Sequence, residues 1–177
     1  MKKVLKNYWL LATVAGIIII LDQITKAIIR TNIPFGDFWM PVKWLSPYFK
    51  FVHWENTGAA FGMFQQGGLI FGILAVIISI VIVIYYPQIP EDEPLMRIAI
   101  AMQMGGALGN FVDRVRFGPV TDFIAVGNFP VFNIADSSVT VGVGILILGL
   151  WISERREKQK LSLDDQSQAE NSDQEEK

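Results

Sequence analysis

Leu69–Tyr86 reads LIFGILAVIISIVIVIYY, a run of residues without a single charge. A helix needs about 20 apolar residues to cross a hydrocarbon core, so this segment is read as a membrane span. Two further stretches, Trp9–Leu21 and Val139–Ile152, have the same character. A fourth, Ile98–Val112, is apolar but broken by Gln103, several small residues and Asn110. Each run reaches spanning length only by extending into polar neighbours, which brings charged groups into or beside the membrane. Just over half of the 177 residues are apolar, and the mean hydropathy is +0.38. The expectation is a single membrane domain over 1–160, an all-α protein with spans at roughly 9–29, 68–86, 95–114 and 134–152.

The net charge of −2 hides an asymmetry. Leu161–Lys177 carries six acids and one lysine, whereas residues 1–160 carry fourteen basic and eleven acidic side chains. The acidic tail has no aromatic or β-branched residue and too little apolar surface to fold, so 161–177 is expected to be disordered and cytoplasmic. Cysteine is absent and His53 is the one histidine. Thiol nucleophiles, cysteine metal sites and His-rich metal sites are thereby excluded, and no metal or other cofactor is expected. Hydrolytic chemistry must rest on carboxylates, hydroxyls or lysine.

Lys2, Lys3 and Lys6 precede the first span, and Arg155, Arg156, Lys158 and Lys160 follow the last. Positive charge marks the cytoplasmic side, so both termini are placed there and the number of spans is even. The first span lacks a small-x-small cleavage site and is read as uncleaved. The loops at 31–68 and 115–133 then fall outside. Roughly 35–64 is aromatic-rich and partly alternating, which reads as a small β-element at the interface. His53 and Glu55 within it are expected to face water. Val120–Phe132, bounded by Gly118-Pro119 and Gly127-Asn128, reads as a short outer loop or strand between helices 3 and 4.

On this map Asp22 and Lys26, Asn110, Asp113 and Arg114, and Asn133 and Asp136 come from three helices to one depth, and Asp122 can reach it from the loop. Ionisable groups in a membrane are costly and mark function or pairing. Asp22 and Lys26 are four residues apart and can pair structurally. Asn110, Asp113 and Arg114 share a helix face, and Gly105, Gly106 and Gly109 permit close approach of a backbone or substrate. Asp136 is read as an N-terminal helix residue and Asp122 as a loop residue, or the two as a catalytic pair. Ser137 or Ser138 with Lys26 would make a serine–lysine hydrolase instead, although Asp22 opposes a neutral lysine. A cation-coupled carrier and a non-catalytic scaffold are the alternatives from other classes. Clustering at one face, without an inverted repeat, argues against the carrier.

The same residues carry a pattern. Asp22-Gln23-Ile24-Thr25-Lys26, Asn56-Thr57-Gly58-Ala59-Ala60-Phe61, Gly105–Asn110 with Asp113-Arg114, Val120-Thr121-Asp122-Phe123, and Phe129–Ser137 follow one another in order. The chain resembles the bacterial lipoprotein signal peptidases (signal peptidase II) over about 9–152. That resemblance implies four transmembrane helices, a small extracytoplasmic β-cradle, and an inner-membrane enzyme with its site near the outer face. It implies Asp122 and Asp136 as catalytic aspartates, with Asn56, Gly106, Asn110, Asp113, Arg114 and Asn133 lining or bracing the site. The implied partners are diacylglyceryl-modified prolipoproteins, cut before the lipidated cysteine, and membrane lipid. No nucleic acid is expected, and the protein is expected to be a monomer. Two carboxylates sharing one proton could activate water and protonate the leaving amine without any metal.

Overall fold

A computed structural model of the chain describes residues 2–58 and 67–175. The stretch 59–64 of the expected outer β-element lies outside the described residues. Helix α1 runs over Lys2–Asn32, α2 over Gly68–Tyr85, α3 over Pro94–Arg116 and α4 over Ile134–Glu175. Each contains a stretch long and apolar enough to span a membrane: Tyr8–Asn32, Gly68–Gln88, Pro94–Arg116 and Ile134–Gln159. These are the four expected spans, each a few residues longer than the sequence estimate at one end or both.

The bundle is apolar outside and polar inside. Ile20, Ile80 and Ile147 are more than half exposed, whereas Lys26, Asp22, Asp113, Asp122 and Asn133 are among the largest side chains buried completely or almost so. Lipid solvates the former as well as a neighbouring helix would, so packing relies on small residues and polar contacts. Helix α3 is the hub and packs against the other three. A Cβ on Gly105 would lie 2.9 Å from Ile18 of α1. One on Gly106 would collide with the Ala135 carbonyl and come within 2.6 Å of Ser138 Oγ on α4. The missing side chain of Gly106 lets the first turn of α4 rest on α3.

Both inter-helix segments at the far end of α1 contribute to one antiparallel sheet. Strand β1 (Phe38–Trp39) pairs with β2 (Phe49–Asn56), which pairs with β3 (Val120–Val126). Sequence suggested these as separate outer pieces; their pairing is non-local and has no periodic signature. The register places Phe51 opposite Ile124 but Trp54 opposite Asp122, so one extra residue on β2 forms an irregularity between them. Such a bulge re-aims the side chains that follow it. Here it brings Asn56 alongside Asp122. It also turns His53 inward. The expectation that His53 faces water fails: it is 8 % exposed, with Nδ1 2.8 Å from the Ile33 carbonyl and its backbone bonded to Gly36 and Asp37. Glu55 is exposed, as expected. Gly118 (φ +91°) and Gly127 (φ +50°) make the turns on either side of β3, where a left-handed backbone suits glycine. Phe123 on β3 packs onto Ile29 and Ile33 of α1.

The tail differs from expectation. Instead of an unfolded segment, α4 continues as helix to Glu175. No glycine or proline follows Gly149, so nothing local stops helix propagation.

Gly106→Ala is expected to lower the thermal midpoint in detergent, destabilising by about 1–3 kcal/mol. Gly144→Ala, whose Cβ would meet nothing within 4 Å, is expected to shift it little. Equal midpoints for the two variants would contradict this packing.

Candidate active site

The site begins with one lysine. Lys26 is fully buried and points its ammonium at Asp22 Oδ2 (2.8 Å) and Asp113 Oδ2 (3.1 Å). A third bond goes to Asn110 Oδ1 at 2.9 Å. An ammonium has three N–H donors, and all three are satisfied. The expected Asp22–Lys26 pair therefore forms, but as part of a two-helix cluster that includes Asp113 and Asn110. Gln23 Nε2 donates to Asp113 Oδ1 at 3.0 Å, and Arg30 lies 3.7 Å from the same oxygen.

Each buried carboxylate also holds backbone. Asp113 Oδ2 accepts the Thr121 amide at 3.0 Å. Asp22 Oδ1 accepts the Ala135 amide at 3.0 Å. Thr121 and Ala135 directly precede Asp122 and Asp136. The Thr121 hydroxyl is held in turn by Arg30 at 2.9 Å. The roles of Gln23, Arg30 and Thr121 were not read from sequence. Arg30 lies four residues beyond Lys26 on the same helical face, which is the signal that would have suggested it.

Asp136 sits in the first turn of α4 in a reciprocal cap. Its amide donates to Asn133 Oδ1 at 2.9 Å, while its Oδ2 accepts the Asn133 amide at 3.2 Å. This is a capping box with Asn and Asp in place of the commoner Ser and Glu. The other oxygen, Oδ1, accepts Asn110 Nδ2 at 2.8 Å. Asp122 is held similarly, by Asn133 Nδ2 on Oδ1 (2.7 Å) and Asn56 Nδ2 on Oδ2 (3.0 Å). Asn133, fully buried, thus bridges the two aspartates, and it also donates to Asn110 at 3.1 Å. Every carboxylate oxygen of the pair has one neutral amide donor.

Asp122 and Asp136 open onto one cavity of about 560 Å³. Asn56, Asn110 and Arg114 share its lining with Phe71, Phe129–Phe132 and the α4 face down to Val141. Arg114 is half-buried, its guanidinium 5.5 Å above the Phe71 ring, with one bond to the Asn110 carbonyl at 3.4 Å. Of the residues singled out from sequence, Asp122, Asp136, Asn56, Asn110 and Arg114 line the cavity. Asn133, Asp113, Gly106, Asp22 and Lys26 lie behind it. Ser137 and Ser138 donate their hydroxyls to the Asn133 and Ala135 carbonyls, and the three Lys26 bonds go to Asp22, Asp113 and Asn110, so the serine–lysine arrangement is not formed.

Burial, and then the negative charge of Asp136, raise the Asp122 carboxyl from its ordinary 3.8 to about 7. The Asn56 and Asn133 bonds and the positive charge of Lys26 oppose this only in part.

Fold and site together define a multi-pass membrane enzyme. Two solved structures of bacterial membrane enzymes superpose with TM-scores of 0.74 and 0.70 at 36% and 37% identity; the matches cover 81% and 79% of this chain and 88% and 91% of theirs. The model of the signal peptidase (SPase) II family matches residues 14–152, and the chain belongs to that family. Lipoprotein signal peptidases of Shouchella clausii (40% identical, spanning 82% of this chain and 95% of theirs) and Moorella thermoacetica (39%, 75% and 86%) are similar to it. That of a Staphylococcus aureus strain is 38% identical over 83% of this chain and 91% of its own.

Asp122 binds its proton more tightly in the folded chain than in the unfolded one. Its contribution to stability is therefore complete below pH 3.8 and is lost as pH rises through about 7. Asp122→Asn cannot ionise, so its thermal midpoint is expected to fall less than that of the wild type across this window. Parallel curves would show that the carboxyl is not perturbed.

Proposed function

We propose that this peptidase is an aspartic endopeptidase that removes signal peptides from diacylglyceryl-modified prolipoproteins, cutting before the lipidated cysteine. The observation that carries the reading is the pair Asp122 and Asp136, bridged by Asn133 and opening together onto one cavity. Two neighbouring carboxylates do not both ionise cheaply, so they hold one proton between them. With Asp122 raised to about 7, Asp122 is taken as the proton donor in the steps that follow.

In the first step Asp136 takes a proton from water as the water oxygen bonds to the scissile carbonyl carbon. Asp122 gives its proton to the carbonyl oxygen, leaving a neutral gem-diol. In the second step the carbon–nitrogen bond breaks, the amine leaves with the proton held by Asp136, and a gem-diol hydroxyl returns its proton to Asp122. Protons balance and the resting state is restored. Arg114 and the amides of Asn56 and Asn110 supply donors for substrate backbone at the cavity wall.

The excess of lysine and arginine flanking the first and last spans supports cytoplasmic termini, and with them a sheet and dyad near the outer face. A substrate whose acyl chains stay in the bilayer presents its scissile bond at that depth, and this positioning lowers the entropic cost of reaction.

Purified protein with a diacylglyceryl-modified prolipoprotein in detergent is expected to cleave before the lipidated cysteine, with EDTA present. Asp122→Asn and Asp136→Asn are each expected to lose at least about a thousandfold in kcat. Undiminished cleavage by both variants would rule out the dyad.

A further inference from the structure

Among the described residues, Lys26 is the largest charged side chain with no exposure at all, and it does not line the cavity. It therefore touches neither water nor substrate. A buried ammonium that only balanced charge would need one carboxylate. This one has two and a neutral amide, and each of its three bonds leads toward the dyad by a different path.

One branch runs through Asp113 to the Thr121 amide, one residue before Asp122. Another runs through Asp22 to the Ala135 amide, one residue before Asp136. The third runs through Asn110 Oδ1. Because that oxygen accepts Lys26 and Asn133, the Asn110 amide nitrogen must face Asp136, and it donates there at 2.8 Å. A flip of the Asn110 amide would set an oxygen against a carboxylate and an NH₂ against an ammonium. Lys26 forbids that flip.

We propose that Lys26 is the positioning residue of the catalytic pair: one side chain that sets the backbone register of both aspartates and the amide orientation of Asn110. The inference rests on the aspartic dyad described above. It separates two roles that a buried ion pair normally confounds, charge balance and geometry. The charged groups around the ammonium are Asp22 and Arg30 from α1, Asp113 and Arg114 from α3, Asp122 from β3 and Asp136 from α4.

The test uses Lys26→Met and the double variant Lys26→Met/Asp113→Asn, assayed for kcat, KM and pH profile beside the wild type and Asp122→Asn. An asparagine at 113 keeps an oxygen for the Thr121 amide while removing the charge that Lys26 neutralised. Lys26→Met is expected to lose about a hundredfold in kcat, as for a misplacement of about 1 Å, with KM near the wild-type value. Its alkaline limb is expected at higher pH, because a positive charge opposing proton uptake by Asp122 is gone. The double variant is expected to regain thermal stability and the wild-type pH profile, while kcat stays low because Asn110 Oδ1 has lost its Lys26 bond and keeps only that from Asn133.

Recovery of kcat together with stability in the double variant would reduce Lys26 to charge balance and overturn the proposal. So would wild-type kcat in a folded Lys26→Met protein. If neither variant folds, Lys26 is a folding residue only, and the proposal fails. Loss of the dyad reading is distinguishable, since Asp122→Asn would then cleave normally.

Discussion

Everything at the sheet end of this bundle depends on a charge that has no access to water. An ammonium in the interior of a membrane protein is tolerated only when paired and fully hydrogen-bonded. Lys26 meets that condition with partners from two helices, Asp22 on its own and Asp113 on α3. With Arg30 close to Asp113, two cations face two anions and the cluster is nearly neutral. Near-neutrality makes burial affordable; geometry makes it useful. A carboxylate has two oxygens, and each of these two uses one on Lys26 and leaves lone pairs for a backbone amide on a neighbouring element. The ion pairs thus double as tethers for β3 and for the start of α4.

Those tethers require close approach, which the glycines of α3 permit. A Cβ at Gly109 would lie 2.9 Å from Asp22 Oδ2, and one at Gly106 would strike the Ala135 carbonyl. The same two contacts belong to the cluster and to the helix–helix seams, so packing and electrostatics are one arrangement. On the water side the arrangement changes character. Asp122 and Asp136 are held by neutral amides rather than by a cation. An ammonium in direct contact would favour the ionised form of its partner too strongly for two carboxylates to share a proton. Neutral donors fix position while leaving protonation free to change.

The spans, the depth of the polar cluster and the Asp22–Lys26 pair were legible in sequence because they depend on local quantities: hydropathy over twenty residues and spacing along one helix. The residues facing the cavity were legible from the family pattern. Pairing between β2 and β3 was not, since it joins segments some 70 residues apart (Asn56 opposite Val120, for example) and strand pairing leaves no local periodic trace. His53 was misplaced for a related reason. Alternation along β2 breaks at the irregularity after Phe51, and a one-residue shift exchanges the two faces of a strand. The parts played by Arg30 and Thr121 depend on that same pairing, because only the placement of β3 brings the Thr121 hydroxyl to Arg30.

Placing the proposed dyad on a strand and a helix end, instead of in mid-span, resolves two opposed requirements. Hydrolysis needs water at the carboxylates, whereas a raised proton affinity needs them desolvated. Asp122 lies on β3 almost completely buried, under the Asn56 end of β2. Asp136 is half-buried in the first turn of α4. The two therefore sample different solvation within one cavity whose wall continues down α4 along Val139–Val141. In the proposed mechanism the drier member, Asp122, is the one with raised proton affinity. Moving the pair deeper would exclude the nucleophile; moving it outward would let Asp122 ionise and dissolve the shared proton. The boundary between span and sheet is the depth at which both conditions hold, and the buried Lys26 cluster is what keeps two independent elements at that boundary together.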